Sequence, residues 1–181
     1  MLESTPFAAK AQDPLTKLAN RALYLNTLET VVHSYNETKL RFGLFLINLE
    51  NFKQLNKSTS YHFGDLVLLH VAERLQQHFG PIYELARVGG NEFAVLWPLL
   101  ATGEDTTSPD LSIAATQLFN LIALPIKKSG YHCELGIKIG VCLLDPKLNA
   151  KQWLQGAEIA LRHAQNDAEN HYHVYYQHPT Q

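Results

Sequence analysis

The segment RVGGNEF, residues 87–93, predicts the hairpin around which the rest of the chain is arranged. The flanking residues 82–88 and 92–97 are rich in strand-forming side chains, and the second run alternates as a half-buried strand does. Gly89 and Gly90 between them are expected to supply the positive φ angles of a two-residue turn. Because glycine leaves the backbone bare, this turn also suits the close approach of a phosphate or a nucleobase.

The sequence before the hairpin predicts two helices around one buried strand. Apolar side chains recur at helical spacing from Arg21 to about Glu37, with Asn20 as the N-cap. Residues 41–49 (RFGLFLINL) form an uninterrupted apolar run that is typical of a central strand. A loop is expected over residues 56–61, and the next helix is expected to open at Gly64 and Asp65.

The sequence after the hairpin completes the pattern with a surface loop over 101–109, helices over 111–124 and 150–166, and strands over 133–144 and 172–176. The resulting order is helix, strand, helix, hairpin, helix, strand, helix, strand. This mixture of hairpin and crossover connections predicts an α/β (α+β) fold, in which helices pack on a mainly antiparallel sheet of about five strands.

The composition is that of a cytoplasmic, globular domain. Hydrophobic residues make up 46% and charged residues 18% of the 181 residues, and a net charge of −2 gives no reason to expect nucleic acid as a partner. No run approaches the ~20 apolar residues of a membrane span. We expect a tail or linker over residues 1–12, one domain over 13–177 and a short tail over 178–181. The segment is expected to lie in the cytoplasm, as part of a longer signalling protein that is itself cytosolic or membrane-anchored.

Five motifs, in order, resemble the GGDEF domain, the diguanylate cyclase family of bacterial cyclic-di-GMP signalling. The resemblance implies a nucleotidyl-cyclase palm, a ferredoxin-like sheet with helices. It also implies an enzyme that joins two GTP molecules across an antiparallel dimer with the help of Mg²⁺. The motifs are residues 13–21 (DPLTKLANR), Phe52-Lys53 followed by Asn56, Gly64-Asp65, residues 87–93, and residues 157–170 as a divergent closing helix.

The resemblance places the metal ligands of the family at positions that are neutral in this chain. The family uses an Asp at the end of the first strand and an acidic third residue in the hairpin signature, whereas this chain has Asn48 and Asn91. Mg²⁺ prefers anionic oxygen ligands. At an effective dielectric constant of ~20, each lost charge pair at ~4 Å removes about 4 kcal/mol of attraction. Glu50 and Glu92 are the acids that remain nearby.

The resemblance also implies a nucleotide site in which Asn56 and Asp65 read guanine. Backbone amides around Asn51, Phe52 and Lys53, together with those of Gly89 and Gly90, are expected to accept phosphate oxygens. Two structural alternatives remain open from the residues alone: Asp65 as a helix N-cap, and Asn56 as a loop residue bonded to its own backbone.

Other family positions have changed. The phosphate-binding Lys and Arg of the closing helix correspond to Gln165 and Glu169, and Lys57, Ser60 and Tyr61 depart from the family's loop. Lys138 is expected to be an exposed strand residue.

The sequence therefore predicts a degenerate, catalytically inactive GGDEF domain with a GGNEF signature, no cofactor, and a regulatory, GTP-sensing or dimerisation role. Its expected partners are GTP, a second copy of the domain, or neighbouring signalling domains. The alternative is a weakly active diguanylate cyclase, in which Glu50 and Glu92 replace the missing Mg²⁺ ligands. A purely structural domain is the third possibility.

Overall fold

The computed structural model describes residues 11–80, 84–99, 109–128 and 130–176. The predicted loop over 101–109 and the start of the predicted strand at residues 82–83 therefore lie wholly or largely outside the described residues. In chain order the elements are α1 (Arg21–Thr38), β1 (Arg41–Glu50), α2 (Phe52–Ser58), α3 (Tyr61–Phe79), β2 (Glu84–Arg87), β3 (Glu92–Leu99), α4 (Pro109–Ala123), β4 (Ile126–Lys128), β5 (Tyr131–Cys133), β6 (Gly136–Leu143), α5 (Ala150–Asn166) and β7 (Tyr172–Tyr175).

The main sheet has five strands in the order β2-β3-β1-β6-β7. Strand β1 lies at its centre and pairs antiparallel with both β3 and β6, while β6 and β7 are parallel. Strands β4 and β5 form a separate two-stranded sheet. The predicted fold class, with helices on a mainly antiparallel sheet, is confirmed.

Strand β1 is apolar because helices cover both of its faces. Phe45, Ile47 and Leu49 point into the core that α3 and α4 cover, whereas Leu44 and Leu46 point into the core formed with α1 and α5. Since side chains alternate along a strand, the next side chain on the α1/α5 face is Asn48. It is half-buried, and it is the point where that face of the strand changes from apolar to polar.

The prediction of one strand over residues 133–144 is wrong. Strand β5 ends at Cys133 and pairs with β4, whereas β6 begins at Gly136 and enters the main sheet. The chain therefore changes sheets over two residues that the apolar alternation does not distinguish. Cys133 and Cys142 are both free and buried. Burial, reinforced by Asp145, raises the pKa of the Cys142 thiol to about 12.

Helix α5 lies close against β6, and this contact fixes the position of the C-terminal end of the helix. Gly140 faces the backbone of α5 so closely that a Cβ would overlap the amide nitrogen of Leu161 and the carbonyl oxygen of Ala157. Trp153 is fully buried, and its indole N–H donates to the carbonyl oxygen of Cys142 at 2.9 Å.

Candidate functional site

The polar end of β1 meets the β2–β3 connection and the start of α2. Asn48 is the register partner of Glu92 on β3, and the backbone N–H of Leu49 donates to the carbonyl oxygen of Asn91 at 3.0 Å. The fold thus brings Asn48, Asn91 and Glu92 together, as the sequence predicted.

The Asn91 side chain is engaged by the protein itself. Its Nδ2 donates to the carbonyl oxygen of Leu49 at 2.7 Å. A carbonyl can only accept, so the group that faces it must be the NH₂. A carboxylate at position 91 could not make this bond, because its oxygens and the Leu49 carbonyl oxygen are all acceptors.

The Asn48 amide is directed in the same manner at an oxygen. Its Nδ2 donates to Oε1 of Glu92 at 3.4 Å. Both positions at which the resemblance implies metal-binding carboxylates therefore present N–H donors to neighbouring oxygens. An N–H group cannot coordinate a dication, so the only ligands that Asn48 and Asn91 could offer are their neutral amide oxygens. These two positions therefore lack the anionic oxygens that Mg²⁺ prefers.

The prediction that Gly89 and Gly90 form a two-residue turn with positive φ is wrong. Neither glycine has a positive φ. The connection runs from Val88 to Asn91, and the N–H groups of Val88 and Gly89 both donate to the carbonyl oxygen of Glu92, at 3.0 and 3.4 Å. A Cβ on Gly89 would lie 2.9 Å from Oε2 of Glu92, the end of a flexible side chain that can move aside. A Cβ on Gly90 would meet nothing within 4 Å, so the tip of the hairpin is open to a ligand.

Arg87 ties this hairpin to the start of the domain. Its Nη1 lies 3.1 Å from Oδ1 of Asp13, and its Nη2 donates to the carbonyl oxygen of Gly90 at 2.8 Å. Asp13 also accepts from the N–H and hydroxyl of Thr16 at 2.7 and 2.8 Å. Burial by itself would raise the pKa of Asp13, but the Thr16 and Arg87 hydrogen bonds outweigh it and leave the pKa below its usual value.

This lowered pKa predicts an acid-sensitive link between the two motifs. The stabilisation is present above the unfolded-state pKa of about 4 and is lost as the pH falls through the lower folded-state value. Replacing Asp13 with Asn should cost about 2 kcal/mol at pH 7, because charge-assisted hydrogen bonds are removed. Chemical denaturation at pH 7 and pH 3 measures the stability lost in Asp13→Asn and the dependence of that loss on pH.

The difference in the free energy of unfolding between the wild type and Asp13→Asn should be smaller at pH 3 than at pH 7. Glu29→Gln on the exposed face of α1 is the charge-matched control, and it should cost less than about 0.5 kcal/mol. An unchanged difference at the two pH values would contradict the assignment.

Asn56 lies against Gly64, the residue before Asp65. Asn56 is in α2, where a loop had been expected, and its Oδ1 is buried with no hydrogen-bond partner among residues 11–80, 84–99, 109–128 and 130–176. This oxygen rests against Gly64, where a Cβ would collide with it. Asp65 follows directly and is exposed.

The two structural alternatives for this pair are wrong. Helix α3 begins at Tyr61 rather than at Gly64, because the Ser60 hydroxyl caps it by accepting from the N–H of Phe63 at 3.1 Å. Asp65 therefore lies in the second turn and is not the N-cap. The Asn56 oxygen makes no bond to its own backbone.

The segment predicted to contact phosphate begins α2. Asn51 has a left-handed backbone (φ 56°), and its side chain does not cap the helix. Phe52 is half-buried and packs against Gly64, while the side chain of Lys53 is exposed. Whether these amides hold a phosphate stays a prediction.

Lys138 on β6, beneath the chain that leaves α5, differs from the expectation. Lys138 is not exposed: it is 6% accessible, and its Nζ donates to the carbonyl oxygens of Asp167 and Asn170 at 2.5 and 2.9 Å. The expectation failed because β6 lies beneath the chain that leaves α5. Gln165 lines a cleft of about 240 Å³ together with Glu92, Arg21 and others, whereas Glu169 is exposed.

The remaining acid, Glu50, ends β1 opposite Gly136. A Cβ on Gly136 would lie 2.9 Å from Oε2 of Glu50, so the carboxylate leans towards β6. Within the described residues, no group of three or more His, Cys, Asp or Glu side chains is placed to hold a metal ion.

Comparison with known proteins decides the family. The profile described as "Diguanylate cyclase, GGDEF domain" matches residues 10–171. The chain belongs to the GGDEF family. A curated relative is MucR of Pseudomonas aeruginosa, described as a bifunctional diguanylate cyclase/cyclic di-GMP phosphodiesterase. It is 30% identical over 161 residues, which are 88% of this chain and 23% of MucR. The chain thus spans about a quarter of that relative's length.

Solved structures confirm the GGDEF fold. The GGDEF domain of TpbB (YfiN) from Pseudomonas aeruginosa superposes with a TM-score of 0.80 at 27% identity, covering 91% of this chain and 94% of that one. The DgcB coiled coil and GGDEF domain from Caulobacter crescentus, solved in complex with c-di-GMP, has a TM-score of 0.79 at 22% identity. That match covers 93% of this chain and 87% of that one, and at this identity it supports the fold alone.

Sequence reasoning about this GGDEF domain missed two residues. Arg87 was recognised only as part of the signature, yet it links Asp13 to the hairpin tip. Lys138 is predicted to be exposed, although its even spacing from Gly140 and Cys142 places it on the α1/α5 face of β6. None of the helices in the part of the chain described above is both long and apolar enough to cross a bilayer.

Proposed function

We propose that this domain binds GTP but does not synthesise cyclic-di-GMP, and that it acts as a regulatory or dimerisation module. The observation that carries the proposal is the use of both metal-ligand positions as hydrogen-bond donors. Asn91 donates to the carbonyl of Leu49, and Asn48 donates to Glu92. The attack of one GTP's 3′ hydroxyl on the α-phosphate of another depends on metal charge at the phosphates, and at these two positions the chain has neutral amides instead of the anionic ligands that Mg²⁺ prefers.

The guanine site supports nucleotide binding. The buried oxygen of Asn56 lacks a partner within the described residues, and a buried polar atom in that state is costly unless something satisfies it. Asp65 is exposed and does not cap the helix. The carboxylate of Asp65 and the amide of Asn56 match the donor and acceptor groups on the edge of guanine.

Tyr61 supports the same conclusion. It is 82% exposed and lies four residues before Asp65, so the two side chains share one face of α3. An exposed aromatic ring beside a base-reading pair suits stacking on a purine, which contributes about 1–3 kcal/mol per base.

The regulatory role follows from binding without turnover. A domain that holds GTP and leaves it intact can change its contacts with a second copy, or with a neighbouring domain, according to the GTP level. MucR combines a cyclase and a phosphodiesterase in one protein. We propose that this chain is a GTP-responsive domain of a signalling protein.

The test is a pair of measurements on the purified chain. Incubation with GTP and Mg²⁺ or Mn²⁺, followed by chromatography, should show no cyclic-di-GMP above a reaction without protein, while an active diguanylate cyclase in parallel does. Calorimetry with GTP in the absence of divalent cation should show binding. Product formation would refute the inactive assignment, and an absence of heat would favour a purely structural domain.

The second candidate is a weakly active cyclase in which Glu50 and Glu92 hold Mg²⁺. It is favoured by their position, because Glu92 pairs with Asn48 and Glu50 lies two residues further along the same face of β1. In the same assay, product that disappears in Glu92→Gln and increases in Asn91→Asp would select this candidate.

A further inference from the structure

Lys138 is a buried cation on the strand beside the altered metal site. With 6% of its surface accessible, it is among the few polar side chains that are buried in the described residues. Burying an ammonium group is costly unless its donors are satisfied. Here two of the three N–H groups are taken by the carbonyl oxygens of Asp167 and Asn170. The charge is thus held in place by the backbone that follows α5.

The register of the sheet places the residue that carries this charge next to Asn48. Glu92 on β3 pairs with Asn48 on β1, and Asn48 pairs with Lys138 on β6. Directly opposed residues point to the same face and have Cβ atoms about 4.5–5.5 Å apart. The three side chains therefore form a row of carboxylate, carboxamide and ammonium across three strands. This row carries both a positive and a negative charge and balances them without an added ion.

We propose that Lys138 is a built-in counter-cation that excludes divalent metal from this site. The inference rests on the proposed function, because it explains why a site that presents amides needs no dication. A divalent ion held at position 48 would share this face of the sheet with the Lys138 ammonium group of the neighbouring strand, and the two would repel each other. A carboxylate introduced at position 48 would pair with Lys138 instead of remaining available to a metal.

The consequence is that restoring carboxylates at positions 48 and 91 is not sufficient for tight binding of a divalent metal. Asn48→Asp combined with Asn91→Asp should bind Mn²⁺ poorly. Adding Lys138→Met, which keeps the length of the side chain and removes its charge, should tighten Mn²⁺ binding at least tenfold, which is about 1.4 kcal/mol. Lys147→Met in the same double variant is the control, because Lys147 is exposed beyond the end of β6.

The probe is Mn²⁺ alone, with free ion followed by electron paramagnetic resonance, and then Mn²⁺ with GTP. Circular dichroism establishes that each variant is folded. If Lys138→Met does not fold, Lys138→Gln replaces it, because its neutral amide still donates to the two carbonyls. Lys138→Arg, which keeps the charge, should leave Mn²⁺ binding as weak as in the double variant, whereas a purely structural role for Lys138 would not separate Gln from Arg.

Equal Mn²⁺ affinity in the double variant and in the folded, charge-free triple variant would overturn the proposal. This outcome is independent of the proposed function, which fails instead if the wild-type chain makes cyclic-di-GMP or binds no GTP.

Discussion

Replacing Gly140 with alanine is expected to destabilise the domain by about 3 kcal/mol, the upper end of the range for overpacked cores. For a domain of this size, that corresponds to a fall of about 6–12 °C in the melting temperature. The new Cβ would overlap the amide nitrogen of Leu161 and the carbonyl oxygen of Ala157. Both are backbone atoms of α5 and cannot rotate away, so the helix itself must move off the sheet.

Two other glycines give matched controls for Gly140→Ala. A Cβ at Gly43 would press on the side chain of Leu111 at 2.7 Å, which can adjust, so Gly43→Ala should cost less. A Cβ at Gly90 would meet nothing within 4 Å, so Gly90→Ala should lie within about 0.5 kcal/mol of the wild type. Thermal unfolding followed by circular dichroism ranks the three. A Gly140→Ala protein that melts like Gly90→Ala would show that α5 does not touch β6 as described.

The movement caused by Gly140→Ala would also reach the candidate site. Helix α5 carries Gln165 to the cleft beside Glu92, and the chain after it supplies the two carbonyls that hold Lys138. The close contact at Gly140 is therefore what sets the polar groups of α5 against the end of β1.

Replacing Asp65 with alanine is expected to weaken GTP binding by about 10- to 100-fold, because hydrogen bonds to a charged group contribute about 1.5–3 kcal/mol. Asp65 is exposed and lies in the second turn of a helix that Ser60 caps, so its removal should leave the fold intact. The loss should be selective for guanine, since adenine does not present the amino donor that a carboxylate recognises in guanine.

The control for Asp65→Ala lies on the same helix. Glu73 is another acid of α3 and is exposed eight residues further on, so Glu73→Ala changes the net charge equally without touching the site. Calorimetric titration with GTP and with ATP, at one salt concentration, compares the three proteins. Equal GTP affinity in the wild type and Asp65→Ala, with both proteins folded, would remove Asp65 from the site.

Much of the fold was predictable because its determinants are local. The apolar run at residues 41–49 marked the central strand, since a strand covered on both faces must be apolar on both. Asn20 was correctly identified as a cap, and it accepts from the N–H of Leu23 at 3.0 Å. The order and spacing of short motifs indicated the GGDEF family, which the family profile confirms.

The errors arose where distant segments decide local geometry. The turn at Gly89 and Gly90 follows the bonds that Glu92 and Leu49 make with the hairpin, rather than the usual preference of a glycine pair. The start of α3 is a local exception: the helix begins at Tyr61 because the Ser60 hydroxyl accepts from the N–H of Phe63, whereas the motif drew attention to Gly64.

By itself, the order of residues determined the architecture, the family and the presence of amides at positions 48 and 91, because these depend on periodicity, spacing and residue identity. Only the tertiary structure decided what the amides and the buried lysine do. Asn91 meets the Leu49 carbonyl, and Lys138 meets the carbonyls of Asp167 and Asn170. These contacts join strands and loops that are far apart in the chain, and a hydrogen bond depends on where its partner lies in space.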